Sequence, residues 1–226
     1  MQIIEIYRSI QGESSFAGLP CVFVRLAACN LRCVWCDSEY TFTGGRKMTG
    51  EEVEREVGRL APGGLVEFTG GEPMLQEREL VPLMERLLDR GYTLLLETSG
   101  ERPLENVPKA VHKIVDVKCP GSGEGGTFRV SNLQALTQRD EVKFVLAHRA
   151  DYEFARDFTR QHGLETRVND VIFSPAFLKN PSRQRDACNC ELDPRLLAEW
   201  ILEDGLNVRL GLQIHKFVWE PAMKGV

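Results

Sequence analysis

The sequence predicts an α/β fold, a partial (open) parallel β/α barrel with helices packed outside the sheet. Three observations predict it. Segments of strand and helix character alternate from residue 21 to residue 213. Seven strand candidates lie in that span, one short of the eight that a closed barrel needs. Polar or glycine-rich stretches follow the strand C-termini one after another, and in a parallel barrel those ends share one rim. A doubly wound open sheet is compatible with the same alternation. The 226 residues suit a single domain over 1–226, with a strand extension at 1–20 and a tail at 213–226.

Each element has its own signal. Residues 2–8 (QIIEIYR) alternate apolar and polar side chains, the period of a short strand. A polar loop follows, and Pro20 to Leu26 is a strand that runs directly into a cysteine-rich stretch. Thr49 and Glu52 make a T-x-x-E capping box, with Val53, Val57 and Leu60 behind it at helical spacing. Leu65 to Phe68 is a strand ending in Thr69-Gly70-Gly71-Glu72-Pro73. A helix around 77–89 puts Leu80, Met84, Leu87 and Leu88 on one face, and Gly91 stops it.

Strands at 93–97 and 113–117 lead into Thr98-Ser99-Gly100 and Lys118-Cys119-Pro120. Residues 121–126 (GSGEGG) read as a flexible loop with too few side chains to pack. A strand at 141–146 precedes a helix at 151–162, with Tyr152, Ala155 and Phe158 inward and Gly163 closing it. The strand at 170–174 ends at Pro175. Asp193 and Pro194 start a helix that Gly205 stops, and Asn207 to Gln213 is the last strand.

Composition excludes several classes. A net charge of −5 leaves no basic excess to neutralise phosphates, which argues against nucleic acid as a partner. No apolar run reaches the length of a membrane span. The start, MQIIEIYRSI, lacks a basic region followed by an apolar run. Seven cysteines, an odd count, fit a reducing compartment. The expectation is a cytoplasmic protein.

The chemistry is concentrated in Cys29-Asn30-Leu31-Arg32-Cys33-Val34-Trp35-Cys36, a C-x3-C-x2-C spacing followed by Asp37. Thiolates are the ligands of iron–sulfur clusters. Three cysteines on one loop hold three corners of a cubane and leave the fourth iron open, and an open metal position is where chemistry happens. A structural zinc site would need a second close pair of ligands, and no C-x2-C or H-x3-H follows. Packing as plain hydrophobes is opposed by Asn30, Arg32 and Asp37, which interrupt any core face. Cys188 and Cys190 supply only two close thiols and favour packed or exposed loop positions over a second metal site, and Cys21 and Cys119 read as structural.

Arg25 interrupts a core strand. It either sits at an edge in solvent or points at an anion in a pocket, because an unpaired buried charge is costly.

The cysteine spacing resembles the cluster loop of the radical S-adenosylmethionine (radical SAM) superfamily. That resemblance implies a [4Fe-4S] cluster on Cys29, Cys33 and Cys36, and S-adenosylmethionine (SAM) on its open iron. Trp35, Cys36 and Asp37 then lie at the SAM site, with Gly71 and Glu72 of the GGEP stretch beside the SAM amino group. Glu97, Thr98, Lys118, Ser174 and Pro175 complete that site by the same resemblance.

A second set of motifs is more specific. Ser9-Ile10-Gln11-Gly12-Glu13, Arg25, Cys36-Asp37-Ser38, Thr69 to Gln76, and Gln213-x-His215-Lys216 occur in this order. Together they resemble the 7-carboxy-7-deazaguanine synthase family, from about residue 5 to about residue 221. The family implies a lyase that contracts the ring of 6-carboxy-5,6,7,8-tetrahydropterin with release of ammonia, in queuosine and deazapurine biosynthesis. It implies substrate contacts from Ile10, Gln11, Gly12, Glu13, Arg25, Thr69, Gln213, His215 and Pro221, the last three in the tail, and Mg²⁺ at Ser38. Gln11 and Glu13 suit a guanine-like ring edge, and Arg25 suits a carboxylate. A flavodoxin-like electron donor and a homodimer are further expectations. The alternatives are a glycyl-radical-enzyme activating enzyme, which shares the cluster spacing, and a zinc-stabilised interaction module.

Overall fold

A computed structural model describes residues 1–178, 189–219, 223 and 225. Among them are nine strands: β1 (Gln2–Ile10), β2 (Pro20–Leu26), β3 (Arg46–Lys47), β4 (Leu65–Gly70), β5 (Thr93–Thr98), β6 (His112–Asp116), β7 (Glu141–Leu146), β8 (Asp170–Pro175) and β9 (Arg209–Leu210). The helices are α1 (Gly50–Leu60), α2 (Glu77–Asp89), α3 (Arg149–His162), α4 (Leu164–Arg167), α5 (Pro194–Glu203) and α6 (His215–Val218). One sheet runs β3-β1-β2-β4-β5-β6-β7-β8-β9. From β2 to β9 every pairing is parallel, while β1 is antiparallel to both β2 and β3. The sheet is open, with β3 and β9 at its two ends, and the predicted partial barrel is the fold.

Strand alternation explains its two faces. Val22, Val24 and Leu26, Val66 and Phe68, Leu94 and Leu96, and Val142, Phe144 and Leu146 face outward into the apolar core. That core is closed by Val53 and Val57 of α1, Leu80, Leu83, Met84 and Leu87 of α2, Tyr152 and Ala155 of α3, and Leu197 and Ile201 of α5. The intervening positions face inward and include the polar Arg25, Glu67, Thr69, Glu97, Asp116, Glu141 and Lys143 beside the apolar Phe23, Leu95 and Val145. A loop after β1 closes one part of the interior, where the Ser15 amide and hydroxyl donate to Glu141, and His112 Nε2 lies 2.8 Å from the same carboxylate.

The capping box forms as the sequence predicts. Thr49 Oγ1 accepts from the Glu52 amide at 3.2 Å, and Glu52 Oε2 accepts from the Thr49 amide at 2.7 Å. Thr49→Ala is expected to cost about 1 kcal/mol, read as a lower urea midpoint with an unchanged slope.

Three expectations change. The last strand is not Asn207–Gln213 but only Arg209–Leu210. After one further bond to Phe173 O, the chain leaves the sheet so that Ile214 N can donate to Gly12 O. Helices do not alternate throughout, because β5–β6 and β6–β7 are joined by loops and short 3-10 turns. The 121–126 loop is also held by specific bonds. Gly121 N donates to Asp151, Ser122 O accepts from Val34 N, and Glu124 Oε1 accepts from Arg32 N at 2.5 Å. It clasps the cysteine loop. No helix among the described residues is long and apolar enough to cross a membrane.

Candidate active site

A cavity of about 460 Å³ lies inside the sheet at the C-terminal rim, a size that suits small molecules. Its wall is drawn from the cysteine loop, the loop after β1, the inward faces of β2, β4, β5, β6 and β7, and residues 213–216.

The chain leaves β2 through Ala28, whose φ of 75° is left-handed and costs about 1 kcal/mol in a non-glycine residue. Ala28 is fixed by donating to Thr41 O at 2.8 Å and by accepting from Glu72 N at 2.8 Å. The two glycines of the GGEP stretch make that contact feasible. Gly70 has a φ of 141°, and a Cβ on Gly71 would lie 2.9 Å from Cys29 Cβ. The strand-to-helix turn therefore passes directly against the cysteine loop.

Cys29, Cys33 and Cys36 all line the cavity. Burial pushes the Cys33 thiol up to about 11 against the pull of Lys118, and burial also raises Cys29. Such thiols give up a proton on binding iron. No group of three or more His, Cys, Asp or Glu among the described residues is placed to hold a single metal ion. Three thiols on one wall of the cavity are the donor type that an iron–sulfur cluster takes.

Next to the thiols, Lys118 Nζ donates to Asp116 Oδ2 at 2.7 Å. Burial opposes the Lys118 charge, but Asp116 and Cys33 hold its ammonium above the usual lysine range. Asp116 Oδ1 is buried with no hydrogen-bond partner among the described residues. An ammonium entering the cavity would satisfy it, and Lys118 would face an incoming carboxylate. SAM carries both groups, so the residues present fit it.

Glu72 also lines the cavity, and its carboxylate is engaged by the protein. It is 1% exposed, Oε1 accepts from Met74 N and Thr98 Oγ1, and Oε2 accepts from Ser99 N and Ser99 Oγ. Two donors on each oxygen fill its acceptor capacity. The carboxylate braces the end of β4 against the end of β5.

The remaining cavity wall is a chain of ion pairs and hydrogen bonds. Lys143 on β7, 2% exposed, donates to Glu13 Oε2 at 2.6 Å and to Glu97 Oε1. Gln213 Nε2 donates to Glu13 Oε1 at 2.6 Å, and His215 Nε2 lies 3.9 Å from that oxygen. Lys216 Nζ donates to Gln213 Oε1 at 2.8 Å and pairs with Asp37 Oδ2 at 2.6 Å. Burial works against charge on Glu13, while the Asp37 side chain is half exposed. Lys143, His215 and Lys216 nevertheless hold Glu13 below the usual carboxylate range, and Lys216 does the same for Asp37. Gly12 permits the approach, because a Cβ there would collide with the His215 ring.

Arg25 resolves toward the pocket. Its Nε donates to Glu5 Oε1 at 2.9 Å, its Nη2 donates to Tyr7 Oη at 2.8 Å, and its side chain is 16% exposed. Gln11 is buried with its amide engaged, Oε1 accepting from Glu13 N and Ser14 N, and Nε2 donating to Glu67.

Of the residues singled out from sequence, Ile10, Gln11, Gly12, Glu13, Arg25, Thr69, Gln213 and His215 share this wall with Trp35, Cys36, Asp37, Ser38, Gly71, Glu72, Glu97, Thr98 and Lys118. Ser174 and Pro175 do not reach it. They are buried in β8, where Gly211 packs against the Ser174 hydroxyl. Pro221 and Cys188 lie outside the described residues. Cys21, Cys119 and Cys190 are buried, as structural thiols are. Sequence reasoning missed Tyr7, Tyr40, Glu67, Asp116 and Lys143 on the wall.

Residues 24–120 match the Radical SAM superfamily. Over all 226 residues the chain is 70% identical to 7-carboxy-7-deazaguanine synthase of Koribacter versatilis, with 100% of both chains covered. It is 43% identical to the enzyme of the same name from Chlorobaculum tepidum, covering 100% of this chain and 97% of that one. The crystal structure of QueE from Escherichia coli superposes with a TM-score of 0.71 at 24% identity, over 94% of this chain and 93% of that chain, and so shares the fold.

Proposed function

Because the chain belongs to the 7-carboxy-7-deazaguanine synthase family of radical SAM enzymes, we propose that it converts 6-carboxy-5,6,7,8-tetrahydropterin to 7-carboxy-7-deazaguanine with loss of ammonia. One observation carries the substrate half. The Gln11–Glu13 loop, Arg25 and the Gln213–His215 segment, far apart in sequence, line one cavity with the three cluster cysteines. A glycyl-radical activating enzyme must admit a polypeptide loop, and a closed network of buried ion pairs around Lys143 suits a small polar molecule instead.

The parts then divide as follows. Cys29, Cys33 and Cys36 hold the [4Fe-4S] cluster. Trp35, Asp37, Gly71, Glu97, Thr98, Asp116 and Lys118 surround SAM, and Glu72 fixes the loop on which Gly71 sits. Bound there, the cluster and SAM would supply one-electron radical chemistry at the pterin carbon that bears the carboxylate. Arg25 orients that carboxylate through the guanidinium hydrogens that Glu5 and Tyr7 leave open. Glu13 accepts from the ring N–H groups, and Thr69, Ile10, Gly12 and His215 complete the described part of the pocket. The buried walls exclude water from the reacting carbon. Mg²⁺ binds through few protein oxygens, and Ser38 Oγ lines the cavity 3.9 Å from Cys36 Sγ. A cytoplasmic setting and a flavodoxin-like donor agree with this chemistry, and Val34, 63% exposed beside Cys33, offers an apolar contact close to the cluster. A homodimer rests on the family resemblance alone.

The test is turnover by anaerobically reconstituted, reduced enzyme with SAM. Formation of 7-carboxy-7-deazaguanine supports the reading, and SAM cleavage with the pterin left intact removes it. Ser38→Ala is expected to abolish stimulation by Mg²⁺, and Ser38→Thr to retain it. A Ser38→Ala enzyme still activated by Mg²⁺ to the parental extent places the ion elsewhere.

A further inference from the structure

Glu67 is a carboxyl group in surroundings that disfavour a charge. It is on β4, 1% exposed, and its side chain lines the inner part of the cavity with Gln11, Phe23 and Lys143. From the loop after β1, Gln11 Nε2 donates to Glu67 Oε2 at 3.1 Å. Glu97 on β5 and Glu13 are like-charged neighbours, and the Tyr7 phenol on β1 and the Cys21 thiol on β2 also face it. The nearby cation, Lys143, bonds to Glu13 and Glu97 instead. Among the described residues no Lys, Arg or His nitrogen comes within the 4.0 Å of an ion pair with Glu67. A buried carboxyl without a cation, next to two carboxylates, keeps its proton. Burial first, and then Glu97, pushes it well above the usual carboxylate range. Gln11 donates to Oε2, so the proton belongs on Oε1, which has no protein partner among the described residues.

We propose that Glu67 is a neutral carboxylic acid that donates a hydrogen bond from the inner wall of the cavity to the ring carbonyl of the bound pterin, and so selects a ring carrying a carbonyl there. This rests on the pterin reading above. A guanine-like edge presents a carbonyl acceptor beside N–H donors. Ionised carboxylates only accept, so Glu13 answers the N–H groups and would repel the carbonyl. The Gln11 amide is engaged three times by the protein. Glu67 supplies the missing donor, a task that a carboxylic acid performs at neutral pH only in a site that keeps it protonated.

The experiment compares wild type, E67Q and E67L, each anaerobically reconstituted with SAM, with folding verified by circular dichroism and iron content. Infrared difference spectra at neutral pH are expected to show a protonated-carboxyl band in wild type that is absent in E67Q and that shifts when 7-carboxy-7-deazaguanine is added. E67L is expected to bind that product about tenfold or more weakly and to raise KM more than it lowers kcat, while E67Q, whose amide can still donate, loses only about three- to fivefold. No Glu67-dependent band, or product binding by E67L at the parental affinity, overturns the proposal. If the band is absent while the pterin is turned over, Glu67 alone is misassigned. If the band is present and wild type neither binds the product nor consumes the pterin, the pterin reading fails, and the assigned hydrogen bond fails with it.

Discussion

Cys33→Ala is expected to abolish 5′-deoxyadenosine formation and leave the fold standing. The loop holds its shape without that thiol. Val34 N donates to Ser122 O at 2.9 Å, Cys36 N donates to Cys33 O at 3.1 Å, and Arg32 N donates to Glu124. None of these bonds uses the Cys33 side chain, and the thiol is only half-buried, so the change is expected to cost about 1 kcal/mol or less. Two thiolates cannot hold a cubane with a single open corner, so iron and sulfide per chain should collapse along with SAM cleavage. Cys21→Ala is the control. Its thiol is buried in β2, off the cavity wall, and its loss is expected to cost on the order of 1 kcal/mol with iron content kept. Deoxyadenosine produced by Cys33→Ala at the parental rate would show that the cluster is held elsewhere.

What was legible in the sequence divides by how local the signal is. The capping box at Thr49, the apolar stripe of α2 and the parallel strands are set by residues a few positions apart, and the structure keeps all of them. The GSGEGG loop looked mobile because composition does not reveal bonds made to Asp151, Val34 and Arg32, which are distant in sequence. Residues 207–213 have a strand's alternation, but the bond from Ile214 N to Gly12 O and the pull of Glu13 on Gln213 take the chain off the sheet. The bracing bonds of Glu72 were not legible from GGEP, because three of its four donors belong to Thr98 and Ser99.

The polar interior was within reach and was overlooked. Arg25 stood out as a charge in a core strand. Glu67 and Thr69 in β4, and Glu141 and Lys143 in β7, repeat that signal at every second residue, with Val66, Phe68, Val142 and Phe144 facing the other way. Applied to every strand rather than one, the same test finds the cavity face of the sheet.

Lys143→Met is expected to lower kcat/KM by about two orders of magnitude or more and to destabilise the protein by about 3–5 kcal/mol. Lys143 is the one described cation bonded to both Glu13 and Glu97, which come from a loop and a strand on the two sides of the cavity. Methionine matches the lysine stem in volume and leaves two carboxylates in a buried site without their cation. Breaking a buried pair in this way is costly because a charge is stranded. The pH dependence separates this account from a packing defect. In the wild type Glu13 lies below its ordinary value of 4.5. Its stabilisation is complete above that value and is lost as pH falls through the lower folded one. Without Lys143, burial is opposed only by His215 and Lys216, and the folded pKa of Glu13 rises. The stability deficit of Lys143→Met should therefore be greatest at neutral pH and shrink as pH falls toward 4.5. Lys143→Arg, which keeps the charge, should recover stability more than activity, because its fork does not reproduce a point contact to both carboxylates. A deficit independent of pH, or a Lys143→Met enzyme within threefold of wild type, would mean that the lysine only fills space.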